Sequence, residues 1–352
     1  HVQTVPIKVA EDAEQLEGEA LLADVLGGTW PTEGFDQSPE EIREAIRQAG
    51  IVGQGGAAFP THVKLTPPEG KSVDTLLVNG CECEPFLTAD HRVMVEHPAA
   101  VICGTILAAR ACGAKDIYVA IEDNKPDAVS AMQKAAEGTG VTVAAVKTRY
   151  PMGGERQTIL ATLGREVPTG GLPLDVGVVV VNVGTATAIA RAVLRGKPLT
   201  HRVVTVSGGG IAEPKNILAP VGVSYRELIE YCGGLTDQAA RVVAGGPMMG
   251  FTLGELDVPV TKGTSGVTVL THEDVKKATE TNCVRCGRCV DVCPLGLVPT
   301  RIALSARTKN WNVAKRYHMA ACCECGCCAY VCPAGIPLVQ LIRMGKVQSP
   351  RE

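Results

Sequence analysis

Between Ser38 and Arg195 the apolar positions fall into short aliphatic runs and helical stripes by turns, and that alternation frames the chain. Strand-like runs lie at Thr75–Val78, Ile117–Ile121, Val141–Val146 and Val178–Val183, with helical stretches at Ala99–Ala111, Pro126–Ala136, Glu155–Leu163 and Ala186–Leu194. The pattern predicts a parallel sheet with helices on both faces, and ligands beyond the carboxyl ends of its strands. A helix before the first strand has clear ends. Ser38 caps it, Pro39 takes the first helical position, Glu41 completes a capping box, Ile42, Ala45, Ile46 and Ala49 form the stripe, and Gly50 stops it. Residues 1–36 offer a possible strand at Thr4–Val9 and then acidic, glycine-rich sequence, which reads as a small β unit or an arm.

The pattern changes after Pro198. Strands are expected at Arg202–Ser207 and Arg241–Val243, a short helix at Tyr225–Cys232, and turns at the glycine clusters between them, which together make a small α+β module ending near Leu270. Thr271 is expected to cap a short helix. Farther on, Arg301–Arg307 and Val313–Met319 fit two antiparallel helices and Leu338–Gly345 a last one.

Composition narrows this picture. At 352 residues the chain is long enough for two or three domains. Hydrophobic residues make up 45% but aromatics only 3%, so the core must be Val, Ile, Leu and Ala packed between tight turns. No uncharged apolar run reaches the roughly 18 residues of a spanning helix; the longest, Val176–Ala190, is interrupted by Gly177, Asn182 and Gly184. The start at His1, with no signal-peptide pattern, reads as a trimmed end.

Eight of the fifteen cysteines lie in two copies of one spacing. Cys283, Cys286, Cys289 and Cys293-Pro294 form the first, and Cys322, Cys325, Cys328 and Cys332-Pro333 the second. This is the ferredoxin-type run C-x2-C-x2-C-x3-C-P, in which three close thiolates hold one [4Fe-4S] cube and the fourth reaches the other cube. Cys283, Cys286, Cys289 and Cys332 are therefore expected on one cluster, and Cys322, Cys325, Cys328 and Cys293 on the other. Zinc sites usually pair two C-x2-C units across a longer insert and lack the third close cysteine. Cys323 and Cys327 fall outside the register and read as buried small hydrophobes or bystander thiols. The C-x-C pair Cys81 and Cys83 is thin evidence for a metal. Reduced ligand thiols imply a reducing compartment.

The remaining chemistry gathers at loops and strand ends. The glycine-rich loop Gly53-Gln54-Gly55-Gly56-Ala57-Ala58 lets backbone N–H groups approach a phosphate or flavin edge, with Lys64 near enough to neutralise charge. Asn79 to Pro85 ends the first strand, Tyr150 with Gly153-Gly154-Glu155 follows the third, and Asn182 with Gly184-Thr185 ends the fourth. The net charge of −3 is unevenly spread: Lys276–Glu352 holds 12 Lys and Arg against 4 Asp and Glu. That excess either compensates the cluster thiolates or faces an acidic redox partner. No nucleic-acid partner is expected.

With these motifs in this order, the chain resembles the C subunit of the Rnf electron-transport complex. That family is similar in turn to the flavin-bearing NADH dehydrogenase component of respiratory complex I. The resemblance implies four units: a remnant of a barrel-sandwich module at 1–36, an FMN- and NADH-binding α/β domain at 37–197, a β-grasp-like (SLBB) module at 198–270 and a two-cluster ferredoxin-like domain at 271–352. It implies FMN held by Gly53, Gly55, Gly56, Lys64, Asn79, Glu82, Tyr150, Gly154, Asn182 and Thr185, with Glu84 and Glu155 on the nicotinamide side. The family pattern usually has glycine where this chain has Ala58. The implied activity is oxidation of NADH through FMN to two [4Fe-4S] clusters in an ion-translocating NADH:ferredoxin oxidoreductase. The other Rnf subunits would be the partners, ferredoxin an indirect one, and the place the cytoplasmic face of the bacterial inner membrane. A cobalamin reductase of the related microcompartment family and a non-enzymatic iron–sulfur adaptor are the alternatives.

Overall fold

A computed structural model describes residues 16–275 and 279–350. The strand expected at Thr4–Val9 lies outside the described residues. Strands β1 (Thr75–Gly80), β2 (Asp116–Glu122), β3 (Val141–Val146) and β4 (Val178–Asn182) form a parallel sheet in the order β3-β2-β1-β4. Successive side chains serve opposite faces. Leu76, Val78, Val119, Ile121, Val179 and Val181 enter one apolar core, while Leu77, Ala120, Val178 and Val180 enter another with Ile159. Both faces are thus covered, as the near-continuous aliphatic runs require.

On the first face the helices Pro98–Cys112 and Val183–Arg195 lie against each other. A Cβ built on Gly104 would stand 1.7 Å from the Ala186 carbonyl oxygen, so only glycine permits this approach. The helix Pro39–Gln48 has its capping box in place: the Ser38 amide donates to Glu41 Oε2 (2.7 Å) and the Glu41 amide to Ser38 Oγ (3.2 Å). Ile42 and Ile46 are fully buried beneath it. Among the described residues no single helix is long and apolar enough to cross a membrane.

Residues 16–36 differ from the β unit or arm expected there. Gly18–Val25 is helical, and it is fixed to the α/β layer by polar contacts that a β/arm reading of the sequence leaves out. Asp24 accepts from Arg191 (2.6 Å), and the Arg195 guanidinium lies 3.8 Å over the Trp30 ring.

The second module is a mixed sheet of β5 (His201–Ser207), β6 (Lys215–Pro220), β7 (Ala239–Ala244), β8 (Phe251–Thr252) and β9 (Gly266–Thr271), in the order β6-β5-β9-β7-β8. Its helix, Tyr225–Tyr231, begins at a Ser224–Glu227 capping box. Thr271 ends β9 instead of opening a helix; its amide and hydroxyl both donate to Asp274 in the turn that follows.

The last domain is built on a duplication. Matching positions thirty-nine residues apart share the same left-handed backbone: Arg285 and Glu324 (φ 56° and 60°), Gly287 and Gly326 (80° and 85°), Gly296 and Gly335 (61° and 61°). Each copy runs into a one-turn helix, Arg288–Asp291 or Cys327–Tyr330. The helices Pro299–Arg307, Trp311–Arg316 and Leu338–Gln348 close over Ile302, Ala303, Ala306, Ala314, Leu338, Val339 and Ile342.

Candidate functional site

The carboxyl ends of β1 and β4 meet the glycine-rich loop. Gln54 anchors that loop from below: its amide donates to Thr185 Oγ1 (2.9 Å) and its side-chain nitrogen to the Gly184 carbonyl (2.9 Å). The buried Arg202 adds bonds to the Gln54 and Lys262 carbonyls (3.2 and 2.7 Å). Burial draws its guanidinium down to about 10. From Gly55 to Pro60 the loop is exposed, and a Cβ on Gly56 (φ +108°) would meet nothing within 4 Å. An exposed, glycine-bearing backbone held on a rigid footing fits a flat phosphate-bearing ligand such as FMN.

Asn79 joins the two other strand-end segments. Its Nδ2 donates to the Gly153 carbonyl (2.9 Å) while its Oδ1 accepts from the Cys81 amide (2.9 Å). Gly153 has no room for a side chain, since a Cβ would lie 2.4 Å from the Cys81 carbonyl oxygen. Gly154 caps the helix Glu155–Leu163, and Glu155 is ion-paired with Lys64. That pair unites a residue expected on the flavin with one expected on the nicotinamide.

Several candidate residues serve as supports. Asn182 caps the helix Val183–Arg195 through Gly184 N (2.8 Å) and donates to Asp90 Oδ2 (2.6 Å). Thr185 is buried, with its hydroxyl committed to Gln54. Glu82 accepts from the amides of Asp90 and His91 (3.0 and 3.1 Å) at the head of the helix Ala89–Glu96. Burial, then the neighbouring Asp90 carboxylate, pushes its carboxyl well above the ordinary range. Asp90, Gln54 and Arg202 were not among the residues singled out from sequence, because each acts through a fold-dependent contact; only the T-x-D spacing of Thr88 and Asp90 hints at a helix start.

Glu84, which the resemblance implies on the nicotinamide side, is engaged with protein. Its two oxygens accept from the amides of Met248 and Met249 (3.1 and 2.7 Å), so it grips a loop of the second module. Gly246 allows this, because a Cβ there would lie 2.3 Å from Glu84 Oε2. Burial raises the Glu84 carboxyl. The same loop is held from its other side by Arg343, which bonds the Met249 carbonyl (2.9 Å) and Glu324 (3.0 Å).

Tyr150 also reaches across a boundary, with its hydroxyl donating to the Cys325 carbonyl (2.6 Å). The α/β crevice thereby adjoins the second cysteine loop. Cys81 is buried and Cys83 half-buried; burial holds the Cys83 thiol up at about 11.

In the last domain Cys293, Cys322, Cys325 and Cys328 line one cavity, together with Cys323 and Cys327. The fourth cysteine of the first run thus stands with the first three of the second. On the other side the Thr281 amide donates to the Ala334 carbonyl (2.9 Å), which brings the segment leading to Cys283 alongside the Cys332 turn. Each run also turns a backbone N–H onto its leading sulfur: Arg285 to Cys283 and Glu324 to Cys322, both at 3.4 Å. Such donors suit thiolates that carry cluster charge.

Comparison with known proteins matches three family models in chain order: the Nuo51 FMN-binding domain at residues 46–191, an SLBB domain at 203–252 and a 4Fe-4S dicluster domain at 272–336. The expected FMN and [4Fe-4S] cofactors accord with these domains. A curated relative from Clostridium ljungdahlii, the C subunit of the proton-translocating ferredoxin:NAD(+) oxidoreductase complex, is 49% identical over 79% of this chain and 61% of its own length. The Na(+)-translocating counterpart from Acetobacterium woodii is 46% identical over 79% and 63%. The C subunit of the ion-translocating oxidoreductase complex of Rhodobacter capsulatus is 44% identical over 88% and 60%. The chain spans about three-fifths of the length of these relatives. Among solved structures, an NAD+-reducing [NiFe]-hydrogenase in the H2-reduced state shares the fold, with a TM-score of 0.63 at 20% identity, over 94% of this chain and 64% of that one.

Proposed function

Because the chain belongs to the family of C subunits of ion-translocating ferredoxin:NAD(+) oxidoreductase complexes, we propose that it oxidises NADH and passes the electrons through FMN to its two clusters. From there they go to other subunits of the complex, at the cytoplasmic face of the bacterial inner membrane. When bound, FMN accepts a hydride's two electrons together and releases them singly, which suits carriers that take one at a time.

The observation that carries this reading is the hydrogen bond from Tyr150 to the carbonyl of Cys325. It ties the loop after β3 to a cluster-bearing loop in the same chain. The residues divide the work. The exposed backbone of Gly55 and Gly56 receives the flavin phosphate side, and Asn79 with Gly153 sets the spacing of the crevice walls. Lys64 supplies a cation held in place by Glu155. Gln54, Asn182, Thr185 and Arg202 keep the loop rigid, so little ordering remains to oppose binding. Cys322, Cys325, Cys328 and Cys293 would hold the cluster beside the crevice, and Cys283, Cys286, Cys289 and Cys332 the outer one. Reduced thiol ligands accord with a cytoplasmic setting.

Anaerobic titration of the cofactor-loaded chain with NADH tests the reading. Bleaching of the flavin band followed by the cluster band is expected. Reduction of both bands by dithionite, with none by NADH, would overturn it.

A further inference from the structure

The two cysteine runs share one backbone but differ in the charges fixed around them. In the second run the Lys346 ammonium donates to the Cys322 carbonyl (2.6 Å) and to Glu324 Oε1 (2.8 Å), while the Arg343 guanidinium donates to Glu324 Oε2 (3.0 Å). The side chains of Lys346, Glu324 and Arg343 are 24%, 28% and 19% exposed. Gly345 brings this group in. A Cβ there would lie 2.8 Å from both Ala306 Cβ and Met319 Sδ, so a side chain would push the helix Leu338–Gln348 away from Pro299–Arg307 and from the turn before Cys322.

The first run is built otherwise. At the positions matching Glu324, Arg343 and Lys346 stand Arg285, Leu304 and Arg307. Arg285 is exposed, and Arg307 pairs with Glu280, both side chains being 39% exposed. Water and salt screen charges in the open, whereas a cation held in a half-buried place acts on its surroundings with less screening.

We infer that Lys346 is the cation that sets the potential of the cluster held by Cys293, Cys322, Cys325 and Cys328, with Glu324 opposing it. The inference rests on the reading above that these cysteines hold the cluster beside the crevice. Reduction adds a negative charge to a cube that its thiolates already make anionic. Burial of this loop, where Cys325 is 7% exposed, resists that charge and lowers the potential. A cation bonded to the carbonyl of a ligand residue favours the reduced form and raises it again. On the same reading an electron leaving the crevice meets this cluster first, so Lys346 governs how readily the crevice empties.

The test is EPR-monitored potentiometry of the cluster-loaded chain, with the signal lost in Cys325→Ala identifying the cluster. Lys346→Met should lower its potential by about 59 mV or more, a tenfold fall in the reduced-to-oxidised ratio for one electron, and leave the other cluster unchanged. Lys346→Arg should restore most of the loss, and Glu324→Gln should raise the potential. The sign separates charge from packing, because a loop that is merely loosened admits water and raises the potential in every variant. An unmoved or raised potential in Lys346→Met, one as low in Lys346→Arg, no rise in Glu324→Gln, or an equal fall in Arg307→Met would each overturn the inference. Where Lys346→Met fails to load its cluster, the Glu324→Gln and Lys346→Arg potentials decide. Iron content and NADH bleaching are followed on the same samples. Iron for a single cube in the native chain would overturn the cluster assignment and this inference together. Failure of NADH bleaching with the potentials as expected would overturn the proposed NADH oxidation and leave the role of Lys346 standing.

Discussion

The hydroxyl of Tyr150 lies 2.6 Å from the carbonyl oxygen of Cys325, although 175 residues separate the two. This bond joins the crevice at the strand ends to the second cysteine loop, and burial raises the phenol well above its ordinary range, so it stays a donor at all working pH values. Tyr150→Phe removes the donor and leaves a carbonyl short of a partner. A loss of about 1–3 kcal/mol is expected where that carbonyl stays dry. In rapid mixing, flavin reduction by NADH should keep its rate while cluster reduction slows. Equal rates for both phases in the variant and the native chain would remove Tyr150 from the coupling between the two sites.

Gly153 makes a sharper test of the crevice. A methyl group there meets the Cys81 carbonyl at 2.4 Å and the Cys83 sulfur at 3.0 Å, and the first of these is backbone. Gly153→Ala must push the two walls apart or strain them, at about 1–3 kcal/mol. The Asn79–Gly153 bond that sets their spacing is lost with the shift. Flavin content after purification should fall several-fold while iron content holds. Full flavin occupancy would place the cofactor away from this wall.

The buried carboxyl of Glu82 gives the fold a pH signature. Burial and then Asp90 raise its pKa in the folded chain above the ordinary 4.5, against backbone amides and Lys125 that pull it down. The folded state therefore holds a proton that the unfolded chain has released. Stability is fullest below the ordinary value and declines as pH rises from 4.5 through the raised value, by at most about 1.4 kcal/mol per pH unit for one proton. Glu82→Gln keeps one oxygen, enough for one of the Asp90 and His91 amides, and has no proton to lose. Denaturant melts from pH 5 to 8 should show a shallower decline in the variant, and parallel declines would assign the effect to another group.

The α/β layer was legible because parallel strands buried on both faces must be aliphatic throughout. Runs such as Val178 to Val181 can scarcely be anything else. The capping box at Ser38 was equally plain, since both partners are local. The strand β6 was not legible: five of its six residues are exposed or half-exposed, it ends in proline, and its pairing with β5 comes from the fold. The helix Gly18–Val25 owes its place to Asp24 meeting Arg191, 167 residues away. The site divides along the same line. Glycines and strand-end asparagines mark the crevice locally, whereas the roles of Glu84, Thr185 and Tyr150 depend on which distant segment each meets. The resemblance implied all three at the ligand, and the structure adds the protein groups that their polar atoms bond.

The two runs of cysteines permit a last test, because the ligand sets cross between them. Cys293 follows the first run in sequence, yet it lines one cavity with Cys322, Cys325 and Cys328. The Thr281–Ala334 bond brings the Cys283 segment alongside the turn that bears Cys332. If each cluster takes its fourth thiolate from the other run, Cys332→Ala should disturb the cluster of Cys283, Cys286 and Cys289. Cys293→Ala should disturb the cluster of Cys322, Cys325 and Cys328. Native protein should carry about eight iron atoms, two cubes of four. Each variant should also lower the thermal stability of the whole last domain, since each fourth cysteine ties the two runs together and ligand energy here is folding energy. The two EPR signals can be assigned independently, because Cys286→Ala removes a ligand exposed at the outer loop and Cys325→Ala one buried beside Tyr150. Cys332→Ala should match the first pattern. If it instead matches Cys325→Ala, each run builds its own cube, and the shared cavity at Cys293 reflects packing alone.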